Sequence, residues 1–182
     1  MIKDLKNAFE RTLQGLAYWM AYKSEVNSIN LKEAEIVGKD IEILSTQLPN
    51  YKLKSEVDYN SLNTSLSKQY ADLCIFSRDG KKCQCVIEFK LGDNTNGGYK
   101  TDVHKLDKLK KLEPDIICLE IIAYRKSCAL TVPKLFSNNC GKANRRVIRI
   151  SQNIQIRVRR ICNALSSNND SKMKKVVCLE II

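Results

Sequence analysis

The chain has 182 residues, of which 43% are apolar and 28% charged, proportions typical of a globular domain that can bury its own core. No apolar run approaches the roughly 20 residues that a membrane-spanning helix needs. The N-terminal segment has an early acid and no continuous apolar block, which argues against a secretory signal. We therefore expect a cytoplasmic protein without a membrane partner, formed by a single domain over residues 1–182.

The net charge of +11 is concentrated at one end of the chain. Residues 1–122 hold 18 basic and 18 acidic side chains, whereas residues 123–182 hold 13 basic and two acidic ones. Apolar residues are interleaved with the basic ones there, which favours a folded basic surface over a solubilising tail. A neutral body with a strongly basic end is typical of proteins that bind a polyanion.

The eight cysteines do not have the spacing of a metal site. They include no C-x-x-C pair, and the chain has one histidine, His104. Zinc sites use paired ligands at short spacing. Several cysteines lie inside apolar runs, where a thiol packs as a small hydrophobe, so we expect reduced, structural thiols.

Hydrophobic periodicity predicts the elements as far as residue 123. Apolar residues at helical spacing predict helices, and short alternating or continuous apolar runs predict strands. The expected order is helix 3–23, helix 31–48, strand 51–59, loop 60–68, strand 70–76, strand 83–91, flexible loop 92–98, helix 101–112 and strand 115–123. The turn at residues 78–81 predicts that the strands on either side of it form a hairpin.

The basic segment is harder to interpret. Residues 145–150 predict a strand, and residues 151–165 fit either a helix or a strand. The pentapeptide CLEII occurs at 118–122 and again at 178–182, and we interpret the second copy as a final strand.

The third predicted strand contains the stretch CVIEFKLG at residues 85–92. Side chains alternate along a strand, so Glu88 and Lys90 point to one face and Ile87 and Phe89 to the other. Buried charges are costly unless they are paired or bind a metal. Two simple alternatives stay open, because Glu88 and Lys90 could face solvent or pair with each other.

A second acid distinguishes this stretch from a chance pattern. Asp72 lies in the preceding apolar strand, and antiparallel neighbours are about 5 Å apart, so Asp72 can approach Glu88 and Lys90. Two carboxylates this close repel each other unless a cation intervenes. A partial set of oxygen ligands suits Mg²⁺, with Mn²⁺ as the expected substitute, and a lysine beside the ion could orient or deprotonate a bound water.

The order helix–strand–strand–strand–helix–strand, with Asp72 in the second strand and E-x-K in the third, resembles the PD-(D/E)XK nuclease superfamily over about residues 30–122. Ala71 stands where the signature often has proline. The resemblance implies an α/β fold with a restriction-endonuclease-like αβββαβ core, a central mixed sheet flanked by helices. An extra N-terminal helix and a basic extension over about residues 123–182 complete the expected fold.

The resemblance also implies a set of site residues. Asp72 and Glu88 would be catalytic metal ligands, joined by the Phe89 carbonyl, and Lys90 would position the attacking water. Many members add a glutamate from the first core helix, and a helical wheel favours Glu33 for this role. The alternative stays open that Asn30 and Glu33 form a capping box.

The substrate expected from this resemblance is DNA, most simply double-stranded, cleaved to 5′-phosphate and 3′-hydroxyl ends. Lys100 and Lys105 on the helix after the motif are candidate backbone contacts, together with the arginines of the basic segment, which are Arg145, Arg146, Arg149, Arg157, Arg159 and Arg160. The expected enzyme is a Mg²⁺-dependent deoxyribonuclease of restriction, homing or defence type, assembled as a dimer or higher homo-oligomer. A junction resolvase or repair nuclease, a catalytically inactive nucleic-acid-binding module and an RNA-binding protein are the alternatives.

Overall fold

A computed structural model describes residues 2–26, 31–92, 98–125, 147–164 and 174–182. Its helices are α1 (Ile2–Val26), α2 (Glu33–Gln47), α3 (Tyr59–Leu62) and α4 (Gly98–Leu112). Its strands are β1 (Lys52–Asp58), β2 (Tyr70–Phe76), β3 (Cys83–Leu91), β4 (Ile117–Arg125), β5 (Val147–Ser151), β6 (Ile154–Ala164) and β7 (Lys174–Ile181).

The strands form one mixed sheet in the order β1-β2-β3-β4-β7-β6-β5. β3 and β4 are parallel and are connected by α4, whereas the other neighbouring pairs are antiparallel. The basic segment therefore supplies β5, β6 and β7, which extend the sheet beyond β4. The prediction of an α/β fold with a central mixed sheet flanked by helices is confirmed.

Strand alternation separates two apolar cores, one on each face of the sheet. Side chains such as Ile87 and Phe89 join α1 and α2 in the first core, and we call this side the α1 face. Side chains such as Val86 and Cys118 join α4 in the second core, on the α4 face. The even-numbered residues of β2, β3 and β4 thus face α4, and Glu88 and Lys90 are among them.

Most of the predicted elements are confirmed within one to three residues, including the hairpin of β2 and β3. Its turn places Gly80 at φ +76°, a conformation that glycine adopts without steric cost. The predicted loop 60–68 was partly wrong, because α3 forms one helical turn after β1. Its start is capped by the Asp58 carboxylate, which accepts a hydrogen bond from the Asn60 amide at 2.9 Å.

Within the predicted segment 151–165, which fitted either a helix or a strand, the structure describes strand β6 over Ile154–Ala164. β6 pairs with β5 on one side and β7 on the other, so its backbone groups are satisfied by the sheet. The second CLEII copy lies in β7 and pairs antiparallel with the first copy in β4, with Ile121 opposite Cys178. The prediction of a final strand is therefore confirmed.

None of the described helices is long and apolar enough to cross a bilayer. The six cysteines within the described ranges are buried free thiols, as the sequence predicted for cysteines in apolar runs. Cys128 and Cys140 lie outside these ranges.

Candidate functional site

Three carboxyl side chains come from neighbouring strands on the α4 face. The pairing of Leu73 with Ile87 places Asp72 opposite Glu88, and Glu88 pairs directly with Glu120. Neighbouring strands lie about 5 Å apart, so the three positions form a short row across β2, β3 and β4. The sequence predicted the approach of Asp72 to Glu88, and did not predict the addition of Glu120.

Glu88 is the most constrained acid of this row. Its side chain is 2% exposed, and its Oε1 accepts hydrogen bonds from the Tyr59 hydroxyl at 2.7 Å and from the Lys105 ammonium at 2.9 Å. Burial and, to a smaller extent, the charge of Asp72 raise the pKa of Glu88 to about 7, although Lys105 and Tyr59 favour its ionised form. Glu88 therefore changes charge near neutral pH.

Asp72 is held by the backbone of the next strand. Its Oδ2 accepts a hydrogen bond from the Phe89 amide at 2.7 Å. The Phe89 ring lies in the core of the α1 face, so only the backbone of this residue is at the site. The role of the Phe89 carbonyl as a ligand stays a prediction.

Lys90 faces two carboxylates. Its Nζ lies 3.1 Å from Asp102 Oδ2 and 3.7 Å from Glu33 Oε2. Burial lowers the pKa of Lys90, but the charges of Asp102 and Glu33 outweigh it, and the net shift is upward. Lys90 is therefore a cation at neutral pH, which favours orientation of a water and stabilisation of negative charge over a role as general base.

The Glu33 carboxylate reaches Lys90 from helix α2, which packs on the α1 face of the sheet. Its Oε2 accepts a hydrogen bond from the Leu91 amide at 3.2 Å. The first turn of α2 is capped instead by Glu35, whose carboxylate accepts from the Lys32 amide at 2.8 Å. The alternative that Glu33 forms a capping box with Asn30 stays untested, because Asn30 lies outside the described residues.

Three side chains at the site were missed by sequence reasoning: Tyr59, Asp102 and Glu120. Asp102 bridges both lysines, since its Oδ1 lies 2.7 Å from Lys105 Nζ and its Oδ2 contacts Lys90. Its position three residues before Lys105 on α4 was a weak signal. Glu120 had the same signal as Asp72, because it is also an acid inside an apolar strand.

Ion pairs link Glu33, Glu88 and Asp102 to two ammonium groups, and Asp72 and Glu120 interact electrostatically with this group, which we call the acid–lysine cluster. Its members are Glu33, Asp72, Glu88, Asp102 and Glu120 with Lys90 and Lys105. Glu120 is fully buried, and within the described part of the chain neither of its oxygens has a hydrogen-bond partner. Burial raises the pKa of Glu120 well above its usual value, and the charges of Asp102 and Glu88 add to this. Acids thus outnumber lysines, and protons or a further cation must offset the excess.

The cluster fits a divalent cation in part. Asp72 and Glu88 supply hard oxygen donors from adjacent strands, a partial set of the kind that Mg²⁺ uses with water and phosphate oxygens. Within the described ranges, no three His, Cys, Asp or Glu side chains are grouped so that they could enclose a metal ion. Any ion would therefore rely on Asp72 and Glu88 for side-chain ligands, with the predicted Phe89 carbonyl and with water or phosphate oxygens.

The predicted nucleic-acid contacts fall on both faces of the sheet. Lys105 belongs to the acid–lysine cluster, and Lys100 is exposed on α4. Arg157 pairs with Glu180 at 3.4 Å, Arg159 also pairs with Glu180, and Arg160 pairs with Glu10 at 2.9 Å.

The arginines of β5 and β6 that the structure describes lie on the α1 face, opposite the acids. Arg157 pairs in register with Glu180, which is itself opposite Leu119 of the first core, and Arg149 pairs with Gln155 on the same face. Arg145 and Arg146 lie outside the described residues. A role of these arginines in binding nucleic acid stays a prediction, and their carboxylate partners reduce the charge they present.

Comparisons of this chain with models of protein families, with curated proteins and with solved structures found no match.

Proposed function

We propose that the chain is a metal-dependent endonuclease that hydrolyses phosphodiester bonds in DNA, built on a restriction-endonuclease-like core. The observation that supports this most is the meeting of Asp72, Glu88 and Lys90 on one face, at the end of two adjacent strands. Glu33 and Lys105 reach the same cluster from two different helices. These side chains are widely separated in sequence, and the excess of acids among them is costly to bury. Such a costly arrangement is typical of functional sites.

In this proposal the acids bind the cation, and the lysines offset negative charge and fix the position of nearby groups. Asp72 and Glu88 would bind Mg²⁺, or Mn²⁺ in its place, and the bound ion would lower the pKa of a water and neutralise charge on the phosphate. Lys90, kept protonated by Asp102 and Glu33, orients the attacking water and offsets the developing phosphoryl charge. Lys105 keeps Glu88 in place.

The biological role that we propose is a small restriction, homing or defence nuclease, with a junction resolvase or repair nuclease as the alternative on the same chemistry. Cutting both strands of a duplex needs two sites, so we also propose a symmetric dimer or higher oligomer.

Circular DNA tests the activity directly. We expect the protein with Mg²⁺ to nick supercoiled plasmid and to linearise single-stranded circles, since both outcomes require internal cleavage. Asp72→Asn should lose cleavage, because the amide keeps an acceptor for the Phe89 N–H and removes the negative charge. The control is Asp107→Asn, at another nearly buried acid of the α4 side that pairs with Lys111. Equal cleavage by wild type and Asp72→Asn would contradict the proposal.

A further inference from the structure

A cleft of about 360 Å³ opens beside the acid–lysine cluster, between the segment 65–69 and helix α4. Tyr59 and Lys105 both line this cleft, and both donate hydrogen bonds to Glu88 Oε1. The carboxylate that we assign to the cation therefore lies directly behind two of the side chains that line the cleft.

The chemistry of the two walls suits a phosphodiester backbone. Helix α4 contributes His104, Lys105 and Lys108, and the opposite wall contributes hydroxyl and amide groups from Ser65 and Gln69 among others. No acidic side chain is among the described residues that line the cleft. Lys105 is paired with Glu88 and Asp102, so the exposed ammonium of Lys108 supplies the positive charge of this wall. It faces neutral hydrogen-bonding groups, an arrangement that attracts phosphate oxygens.

The size of the cleft limits what can enter it. Its volume lies near the lower end of the range of about 300–1,000 Å³ found for small-molecule pockets. A single nucleotide unit is comparable to the small ligands that such pockets hold, whereas both strands of a base-paired duplex occupy far more space. The side chains of His104 and Lys108 are exposed, and they can meet the strand as it enters.

We propose that this cleft binds an unpaired DNA strand next to the bond to be cut, with Lys108 and His104 on its backbone. The inference rests on the proposed function for the chemistry that follows, but binding itself can be measured without cleavage. The proposed cleft places the expected substrate contact on the α4 face of the sheet. Arg157, Arg159 and Arg160 lie on the α1 face. The proposed cleft also favours frayed, branched or single-stranded DNA over an intact duplex.

Binding of labelled oligonucleotides in EDTA, measured by fluorescence anisotropy over a range of salt concentrations, tests this proposal. The probes are a single strand of about 12 nucleotides, a length within the site sizes of single-strand-binding proteins, and its duplex. We expect the single strand to bind more tightly than the duplex. Lys108→Ala and His104→Ala should each weaken binding, and Lys108→Ala should reduce the slope of log K against log salt by about 0.7, the value for one phosphate contact.

Lys39→Ala is the control, because it removes a basic side chain from helix α2, which packs on the α1 face. It should leave single-strand binding unchanged. Equal affinity for the duplex, or a loss of affinity in Lys39→Ala without one in Lys108→Ala, would overturn the proposed cleft. If the oligonucleotide binds as expected and Mg²⁺ still produces no cleavage, the nuclease proposal fails and the cleft assignment holds.

Discussion

We expect the free energy of unfolding of the wild type to fall between pH 5 and pH 8, and Asp40→Asn to remove a large part of this fall. Asp40 lies on α2 and is fully buried, and neither of its oxygens has a hydrogen-bond partner among the described residues. Burial raises the pKa of this carboxyl from 3.8 to about 8. The folded protein therefore holds a proton that the unfolded chain releases near pH 4.

The direction of the effect follows from proton linkage. Between the two pKa values the folded state binds more protons than the unfolded state, so the free energy of unfolding falls as the pH rises. Each pKa unit corresponds to about 1.4 kcal/mol, and the whole interval between the two pKa values to about 6 kcal/mol. Asparagine occupies the same volume and does not titrate in this range, although its buried amide has a cost at every pH.

Urea unfolding of the wild type and Asp40→Asn at pH 5, 6, 7 and 8 measures this effect. Glu88 also titrates in this range, so the difference between the two curves isolates Asp40. Asp115→Asn, at an exposed side chain, is the control and should follow the wild type. Parallel curves for the wild type and Asp40→Asn would show that the pKa of Asp40 is not raised.

Lys90→Ala is expected to reduce the rate of DNA cleavage by about a hundredfold or more, within the range found when a single charge-stabilising or proton-transferring group is removed. The ammonium of Lys90 is kept positive by Asp102 and Glu33, and no other described lysine except Lys105 belongs to the cluster. Lys105 cannot replace it, because Lys105 is already bonded to Glu88 and Asp102.

Lys39→Ala is a closely matched control for Lys90→Ala. The side chain of Lys39 is 24% exposed against 25% for Lys90, and it also pairs with a carboxylate, that of Glu42 at 2.6 Å. We expect this variant to cleave DNA at the wild-type rate. Initial nicking rates should be compared at saturating protein, with DNA binding measured separately in EDTA. A Lys90→Ala rate within a few-fold of the Lys39→Ala rate would exclude the role that we give to Lys90.

Local patterns predicted the scaffold of the site well. The hairpin turn and the alternation of β2 and β3 fix which side chains share a face, and this was sufficient to bring Asp72 beside Glu88. Lys90 shares the face of Glu88 for the same reason. These relationships depend on residues within one hairpin, where sequence distance and spatial distance are closely linked.

Contacts between elements that are distant in sequence could not be predicted from such local patterns. Tyr59 reaches Glu88 from a helical turn inside a predicted loop, and Glu120 depends on the parallel pairing of β4 with β3. The arginines depend on strand β6, whose bulge between Val158 and Arg160 lets Arg159 and Arg160 both contact acids on the α1 face. Because the pattern of residues 151–165 fits either a helix or a strand, it cannot predict on which face of the sheet these arginines lie.

Binding of Mn²⁺ at pH 8, followed by titration calorimetry, tests most directly whether residues 72 and 88 share a cation site. At this pH most Glu88 is ionised, because its pKa is about 7. We predict one strong site per chain, with affinity at least about tenfold weaker in Asp72→Asn and in Glu88→Gln, and unchanged in Asp107→Asn. Affinity should also fall as the pH drops below 7, because protonation of Glu88 removes a ligand charge. Equal Mn²⁺ affinity in the wild type and both site variants would contradict a shared cation site at Asp72 and Glu88.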